Sequence, residues 1–138
     1  MSLLPKPRPH SADALARYGW QCVLDGDFPG GIAALREALQ ARPNHAETTK
    51  ALGLALAKGR HTQEALDVLH RYATREAADI EIFCVIGELC LEQRDYRGMA
   101  AALRRCLELD PDAVHPSGVR ARGLIKKAEK QLKVATAQ

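Results

Sequence analysis

Apolar and small residues return along this chain in a fixed register. Gly19, Gly53 and Gly87 stand 34 residues apart, and their neighbours keep phase: Leu15-x-x-Tyr18-Gly19-x-x-Cys22 becomes Thr49-x-x-Leu52-Gly53-x-x-Leu56, then Phe83-x-x-Ile86-Gly87-x-x-Cys90. Further on, Gly31-x-x-x-Leu35 becomes Ala65-x-x-x-Leu69 and Met99-x-x-x-Leu103, and the units close at Pro43, Ala77 and Pro111. Agreement at so many columns in three copies marks a repeat protein. The spacing within each unit is helical, and each unit divides into two helices.

Ser11 caps a first helix running to about Asp25, and Gly26-Asp27 turns the chain. Asp27 caps a second helix, with Phe28 and Pro29 in its first turn, where proline is tolerated. It runs to about Ala41, and Pro43 stops it. Asn44-His45-Ala46-Glu47 reads as a capping box opening the third helix, which Gly59 ends. A fourth helix is expected from about Thr62 to Arg75 and a fifth from about Asp79 to Glu92. Asp95 caps a sixth, which ends near Leu109. After Pro116 a seventh is expected from about Ser117 to Ala135. There Ala121, Leu124, Ile125, Ala128, Leu132 and Ala135 form one apolar stripe. The recurrent glycine costs about 1 kcal/mol of helix propensity relative to alanine. A physical reason for it is close approach of the two helices of a unit, with Gly31 and Ala65 small in the facing column and Met99 breaking that rule.

Two kinds of helix result. The second helices are amphipathic: Phe28, Ile32, Leu35 and Leu39 face one way, and Arg36, Glu37 and Gln40 another. The first helices are apolar over more of their surface. Beyond the packing columns they carry Trp20, Val23, Leu24, Leu54, Ala57, Cys84 and Leu91. A helix apolar nearly all round is either buried or presents a binding surface.

Composition narrows the class. The chain has 138 residues, 46% apolar but only 4% aromatic, so its core is mostly Leu and Ala. No apolar run approaches the roughly 18–20 residues needed to span a membrane. MSLLPKPRPH lacks a long apolar region and a small-residue cleavage site, so no secretory signal is expected. Cys22, Cys84, Cys90 and Cys106 form no C-x-x-C pair. In that context they read as reduced thiols of a cytoplasmic protein. The net charge of +3 is uneven. Residues 1–10 carry Lys6 and Arg8, residues 114–138 carry six bases against Glu129, and residues 11–113 hold 12 bases and 16 acids.

A 34-residue helix–turn–helix unit with these columns resembles the tetratricopeptide repeat (TPR) family. The resemblance covers Ala12–Ala113. It implies an all-α fold: three TPR units (12–45, 46–79 and 80–113) in a right-handed superhelix, plus a C-terminal capping helix (117–135), seven helices in all. Residues 11–135 would form a single TPR domain behind an extended or disordered segment, 1–10. The pattern is degenerate: the early Trp column reads Leu15, Thr49 and Phe83, and the closing proline is Ala77 in the second copy.

The family's first helices line a concave groove. On that basis the expected partner-binding residues are Asp13, Ala16, Trp20, Val23, Leu24, Glu47, Lys50, Leu54, Lys58, Glu81, Cys84, Glu88 and Leu91. Together they would make an apolar strip with an acidic flank in the third unit, beside Glu92. Trp20 is either an anchor in that groove or packed inside, under Leu3-Leu4-Pro5. Some TPR domains hold the carboxylate of chaperone tails with a clamp of Lys, Asn and Arg. The corresponding positions here are Ala16, Trp20, Ala51, Glu81 and Val85, none of which could serve, so no binding to such tails is expected.

The implied function is protein–protein interaction: a peptide or amphipathic helix of a partner held in the groove, by an adaptor or a dedicated chaperone. In architecture three units and a terminal helix also resemble bacterial type III secretion chaperones. The alternative is a self-assembling scaffold built through groove or convex-face contacts, which makes a homo-oligomer possible. A third arrangement has MSLLPKPRP lying in its own groove. The basic last helix reads as a solvated outer face rather than a nucleic-acid or membrane site, since no aromatics interleave with its bases. No metal site is expected: the histidines are scattered, and Cys84 and Cys90 lie about 240° apart around a helix. No phosphate loop, nucleophile elbow or matched carboxylate pair occurs, Arg104-Arg105 reads as a solvated face, and neither a cofactor nor enzymatic activity is expected.

Overall fold

Seven α-helices and no strand occur among the residues that the computed structural model describes, Pro5 and 11–137. They are α1 (Ala12–Leu24), α2 (Phe28–Ala41), α3 (Ala46–Lys58), α4 (Thr62–Arg75), α5 (Ile80–Glu92), α6 (Tyr96–Leu109) and α7 (Pro116–Ala137). They fall into two compact units, Met1–Tyr72 and Ala73–Gln138. In the first, α1 packs on α2 and α2 on α3; in the second, α5 packs on α6 and α7 lies against both.

One turn joins the helices of every pair. The residue after the C-cap takes a left-handed conformation: Gly26 (φ 87°), Arg60 (φ 69°) and Arg94 (φ 57°). These three are again 34 residues apart. The next residue closes a Schellman bond back to the last turn. Asp27 N–H donates to the Cys22 carbonyl at 2.8 Å, His61 to Leu56 at 2.8 Å, and Asp95 to Cys90 at 2.9 Å. Asp27 and Asp95 then cap the following helices, accepting from the Gly30 and Gly98 N–H groups at 3.1 and 3.0 Å.

The glycine column packs against a leucine column. A methyl group built on Gly19 would lie 2.9 Å from Leu35 Cγ. On Gly53 it would lie 2.7 Å from Leu69 Cγ, and on Gly87 2.7 Å from Leu103 Cδ2. Leu35, Leu69 and Leu103 are all fully buried. Closest approach of the two helices therefore occurs where one side chain is missing and the facing leucine fills the space. In the first pair the opposite helix is small too: Gly31 lies under Val23 and the Gly19 carbonyl. Met99, the exception in that column, is buried all the same.

Three local expectations change. The N-cap of α3 is His45, whose ring nitrogen faces the Thr48 N–H and hydroxyl, and not Asn44 as the capping-box reading implied. Position 45 lies midway between the caps Ser11 and Asp79 in the same 34-residue register. Arg105 is not simply a solvated base: it donates to the Ala77 carbonyl at 3.1 Å, pairs with Glu108 and lies over the Phe83 ring. Finally, α7 starts at Pro116 and extends to Ala137. Its entry is held by Asp110, whose carboxylate accepts from the Val114 and His115 N–H groups at 3.0 and 2.8 Å. Ala121 stands 34 residues past Gly87 and is fully buried, so the first turns of α7 continue the register; Ala128 is also buried, whereas Ala135 is exposed.

Gly53→Ala is expected to destabilise the protein by about 1–2 kcal/mol, since overpacking against Leu69 outweighs the gain in helix propensity. Arg94→Gly should raise stability by about 0.5–1 kcal/mol by removing a side chain from a left-handed position, net of glycine's greater freedom when unfolded. Chemical denaturation of each variant checks both signs.

Candidate functional site

In the first unit the helices α1 and α3 expose one side each, and between them lies an open pocket of about 780 Å³. From α1 it takes Asp13, Ala16, Arg17, Trp20 and Gln21, residues that helical spacing places on one face. From α3 and its cap it takes His45, Glu47, Thr48, Lys50, Ala51 and Leu54. Trp20 and Leu54 occupy the same column of successive repeats, and both are partly exposed. They form an apolar floor, extended by the small residues Ala16 and Ala51, which leave room above the helix backbones.

The rim is charged and balanced. Asp13 and Glu47 supply carboxylates; Arg17 and Lys50 supply bases. Asp13 is engaged by Arg42, the C-cap residue of α2, at 2.6 Å. That pair is exposed and contributes little energy, but it spends the negative charge at this end. Thr48 is buried and ties to His45 Nδ1 at 2.7 Å, so the α3 wall is held by its own cap.

In the second unit a smaller hollow of about 510 Å³ lies between α5 and α7. Glu88, Leu91 and Glu92 come from α5, and Val119, Arg120, Gly123 and Leu124 from α7. Glu88 pairs with Arg120, so the expected acidic flank is partly neutralised by the last helix.

Of the residues expected to bind a partner, Asp13, Ala16, Trp20, Glu47, Lys50 and Leu54 thus come together in the first pocket, and Glu88 and Leu91 line the second. Leu24, Lys58 and Glu81 are exposed but line neither. Val23 and Cys84 are placed in the core, 3% and 1% exposed, and so offer no contact surface. For Val23 the cause is the helix pair itself, since its side chain fills the space over Gly31. For Cys84 it is a seat beside Glu88, to which the thiol donates at 3.4 Å. Sequence reasoning passed over Arg17 and Gln21, although both follow Asp13 at helical intervals, and over the α7 residues. The segment 1–10, proposed to lie in the groove, is outside the described residues apart from Pro5, and so is the packing of Trp20 under Leu3 and Leu4.

No family profile and no curated protein matches this sequence. Solved structures do match its fold. A mutant of MamA superposes with a TM-score of 0.81 at 16% identity, over 89% of this chain and 65% of that one. The first TPR of Spaghetti (RPAP3), bound to the HSP90 peptide SRMEEVD, gives 0.77 at 14% identity over 93% and 98%. The chain has the tetratricopeptide-repeat fold. The TPR2B domain of yeast Sti1, solved in complex with pHsp70, gives 0.76 at 18% identity over 87% and 97%. At these identities the likeness is one of fold. This chain spans about two thirds of MamA and nearly the whole of the other two domains.

Chemistry at the cysteines is suppressed. All four are buried and free. Burial, and then the neighbouring Glu88, push the Cys84 thiol up to about 12, and burial with Asp95 pushes Cys90 up to about 11. Neutral thiols are poor nucleophiles and poor metal ligands. Among the described residues, no three His, Cys, Asp or Glu side chains converge in a way that could hold a metal ion, and no helix is long and apolar enough to cross a membrane.

At pH 8 a thiol reagent should label none of the four cysteines until denaturant is added. Because these folded-state values lie above the ordinary value of 9.0, the neutral thiols contribute stability that is complete below pH 9 and lost as the pH rises toward 11–12. A denaturation series from pH 7 to 11 should show a loss that Cys84→Ala diminishes.

Proposed function

We propose that this TPR protein is a cytoplasmic protein-interaction module that holds a peptide or helix of a partner in the α1–α3 pocket, acting as an adaptor or dedicated chaperone. The observation that carries this reading is an apolar floor of Trp20 and Leu54, partly open to solvent, between two helices whose glycine sides are packed against their partners. Trp20 is the only tryptophan, a residue type enriched where binding energy concentrates. Two solved neighbours of this fold, Spaghetti and Sti1, are complexes with an HSP90 peptide and with pHsp70, which supports a polypeptide ligand for this one.

The rim restricts that ligand. The two rim acids, Asp13 and Glu47, are matched in number by two bases, Arg17 and Lys50, so the lining has no concentration of positive charge with which to hold a carboxylate-rich tail. The bound segment is therefore one of low net charge whose apolar side chains seat on Trp20 and Leu54, and its affinity comes mainly from burial. The self-assembling alternative would use the same surface against a second copy.

Capture from an extract of the native host, followed by titration of the captured partner, tests this. Trp20→Ala should weaken that partner by about 2 kcal/mol or more, some thirtyfold, while circular dichroism stays unchanged. Equal affinity of the two proteins would sink the proposal, and concentration-dependent growth in light scattering that Trp20→Ala abolishes would favour self-assembly. The peptide SRMEEVD should show no binding at micromolar concentration by calorimetry.

A further inference from the structure

One glycine has no structural cause in the fold. Gly19, Gly53 and Gly87 are required by close helix packing. Gly123 also lies inside a helix, yet a methyl group built there meets nothing within 4 Å. In the 34-residue register it follows Gln21, Ala55 and Leu89; Gln21 is exposed, whereas Ala55 and Leu89 are buried at 0% and 4% exposure. The last helix therefore drops a side chain where the two repeats before it carry a packed one, at a cost of about 1 kcal/mol in helix propensity. What it leaves is the hollow between α5 and α7, walled by Leu91, Val119 and Leu124. Val119 is 56% exposed.

Charge then defines the occupant. Val119, Gly123, Lys126, Lys127 and Lys130 follow at i, i+4, i+7, i+8 and i+11, which is one stripe of α7. All five are exposed. On the α5 side of the hollow stands Glu92. A second copy presenting the same stripe would set lysines against lysines. A partner with acids along one flank meets the lysines favourably and keeps its other flank clear of Glu92.

We propose that the α5–α7 hollow is a docking socket for an amphipathic helix of a partner protein. One apolar side chain of that helix fills the space over Gly123, and its acidic flank lies on Lys126, Lys127 and Lys130. The socket belongs to the second unit, shares no residue with the α1–α3 pocket, and does not rest on the function proposed for that pocket.

The test uses the full chain and three synthetic probes of about 18 residues, five helical turns. The first has a leucine face with glutamates on one flank, the second the same face with lysines, and the third the glutamates without the leucines. By fluorescence anisotropy the first should bind at least about tenfold tighter than either of the others. Gly123→Leu fills the socket with the protein's own side chain, so it should raise thermal stability yet weaken the first probe about tenfold. Lys126→Glu with Lys127→Glu should weaken it further, and Trp20→Ala should leave it unchanged. Equal binding of the first and third probes reduces the effect to bulk charge and overturns the proposal, as does a Gly123→Leu protein that binds normally. Self-association abolished by Gly123→Leu would assign the socket to a second copy, and tighter retention of phosphatidylglycerol vesicles than of the first probe, lost in the double lysine variant, would assign the stripe to a lipid surface; either result overturns the acidic-helix proposal.

Discussion

The structure depends on one steric relation, a helix with a missing side chain laid against a leucine on its partner. Gly19 with Leu35, Gly53 with Leu69 and Gly87 with Leu103 bring the two helices of each pair together with only the leucine side chain between them. That approach sets the interhelical distance, which in turn determines what the remaining faces can do. With the glycine side of the first helix committed to its partner, the columns carrying Trp20 and Leu54 are turned away from it. The α1–α3 pocket is in this sense a by-product of the packing rule. A small residue on one side of the helix leaves a large residue on another side free to meet a ligand. The turn reinforces the geometry, because the left-handed residue and the Schellman bond fix how the chain leaves one helix for the next. Arginine holds that strained place in two of the three pairs, so the turn is imposed by the closure of the pair and not by the local preference of the residue.

The architecture was legible in the sequence because it is periodic. A glycine in a helix is a weak signal alone, but three in phase with leucines downstream leave one economical explanation. Helix limits followed from the same register, and the slip at the α3 cap shows what happens when local motif reading overrides it. Asn44 has the better capping side chain, yet the register places the cap at position 45, where Ser11 and Asp79 stand in the neighbouring units, and His45 fills the role with a ring nitrogen. The site was legible only in part. Helical spacing separates the packed side of a helix from the open one, and this sufficed for Trp20, Lys50 and Leu54. It does not tell how wide the packed side is. Val23 and Cys84 lie at its margin, and whether such a residue is covered depends on its neighbours: a glycine on the facing helix in one case, Glu88 one turn along the same helix with its partner Arg120 in the other.

Charge was the least legible property. Read along the chain, the third repeat offers an acidic flank and the last helix a basic, inert one. In three dimensions the two meet. Arg120 turns back to Glu88, and Arg42 reaches Asp13 from the end of a different helix. Both pairs are long-range in sequence and local in space, so counting charges by segment misstates the field that a ligand encounters. An exposed pair contributes little to stability, yet it removes a carboxylate from the set available to bind a cation.

A pocket built from helix faces also differs in kind from one built on loops. Its walls are held by main-chain hydrogen bonds inside each helix and by caps that satisfy the first free N–H groups, as Ser11 does at 3.2 Å for α1 and His45 does for α3. Such walls change little when a ligand arrives, so little of the binding free energy is lost in ordering the protein, and the entropic cost falls on the incoming segment. A ligand that is already helical, or extended and stiffened by proline, loses less freedom than a flexible one. On the proposed role, a pocket with such walls favours order in the partner as well as apolar side chains.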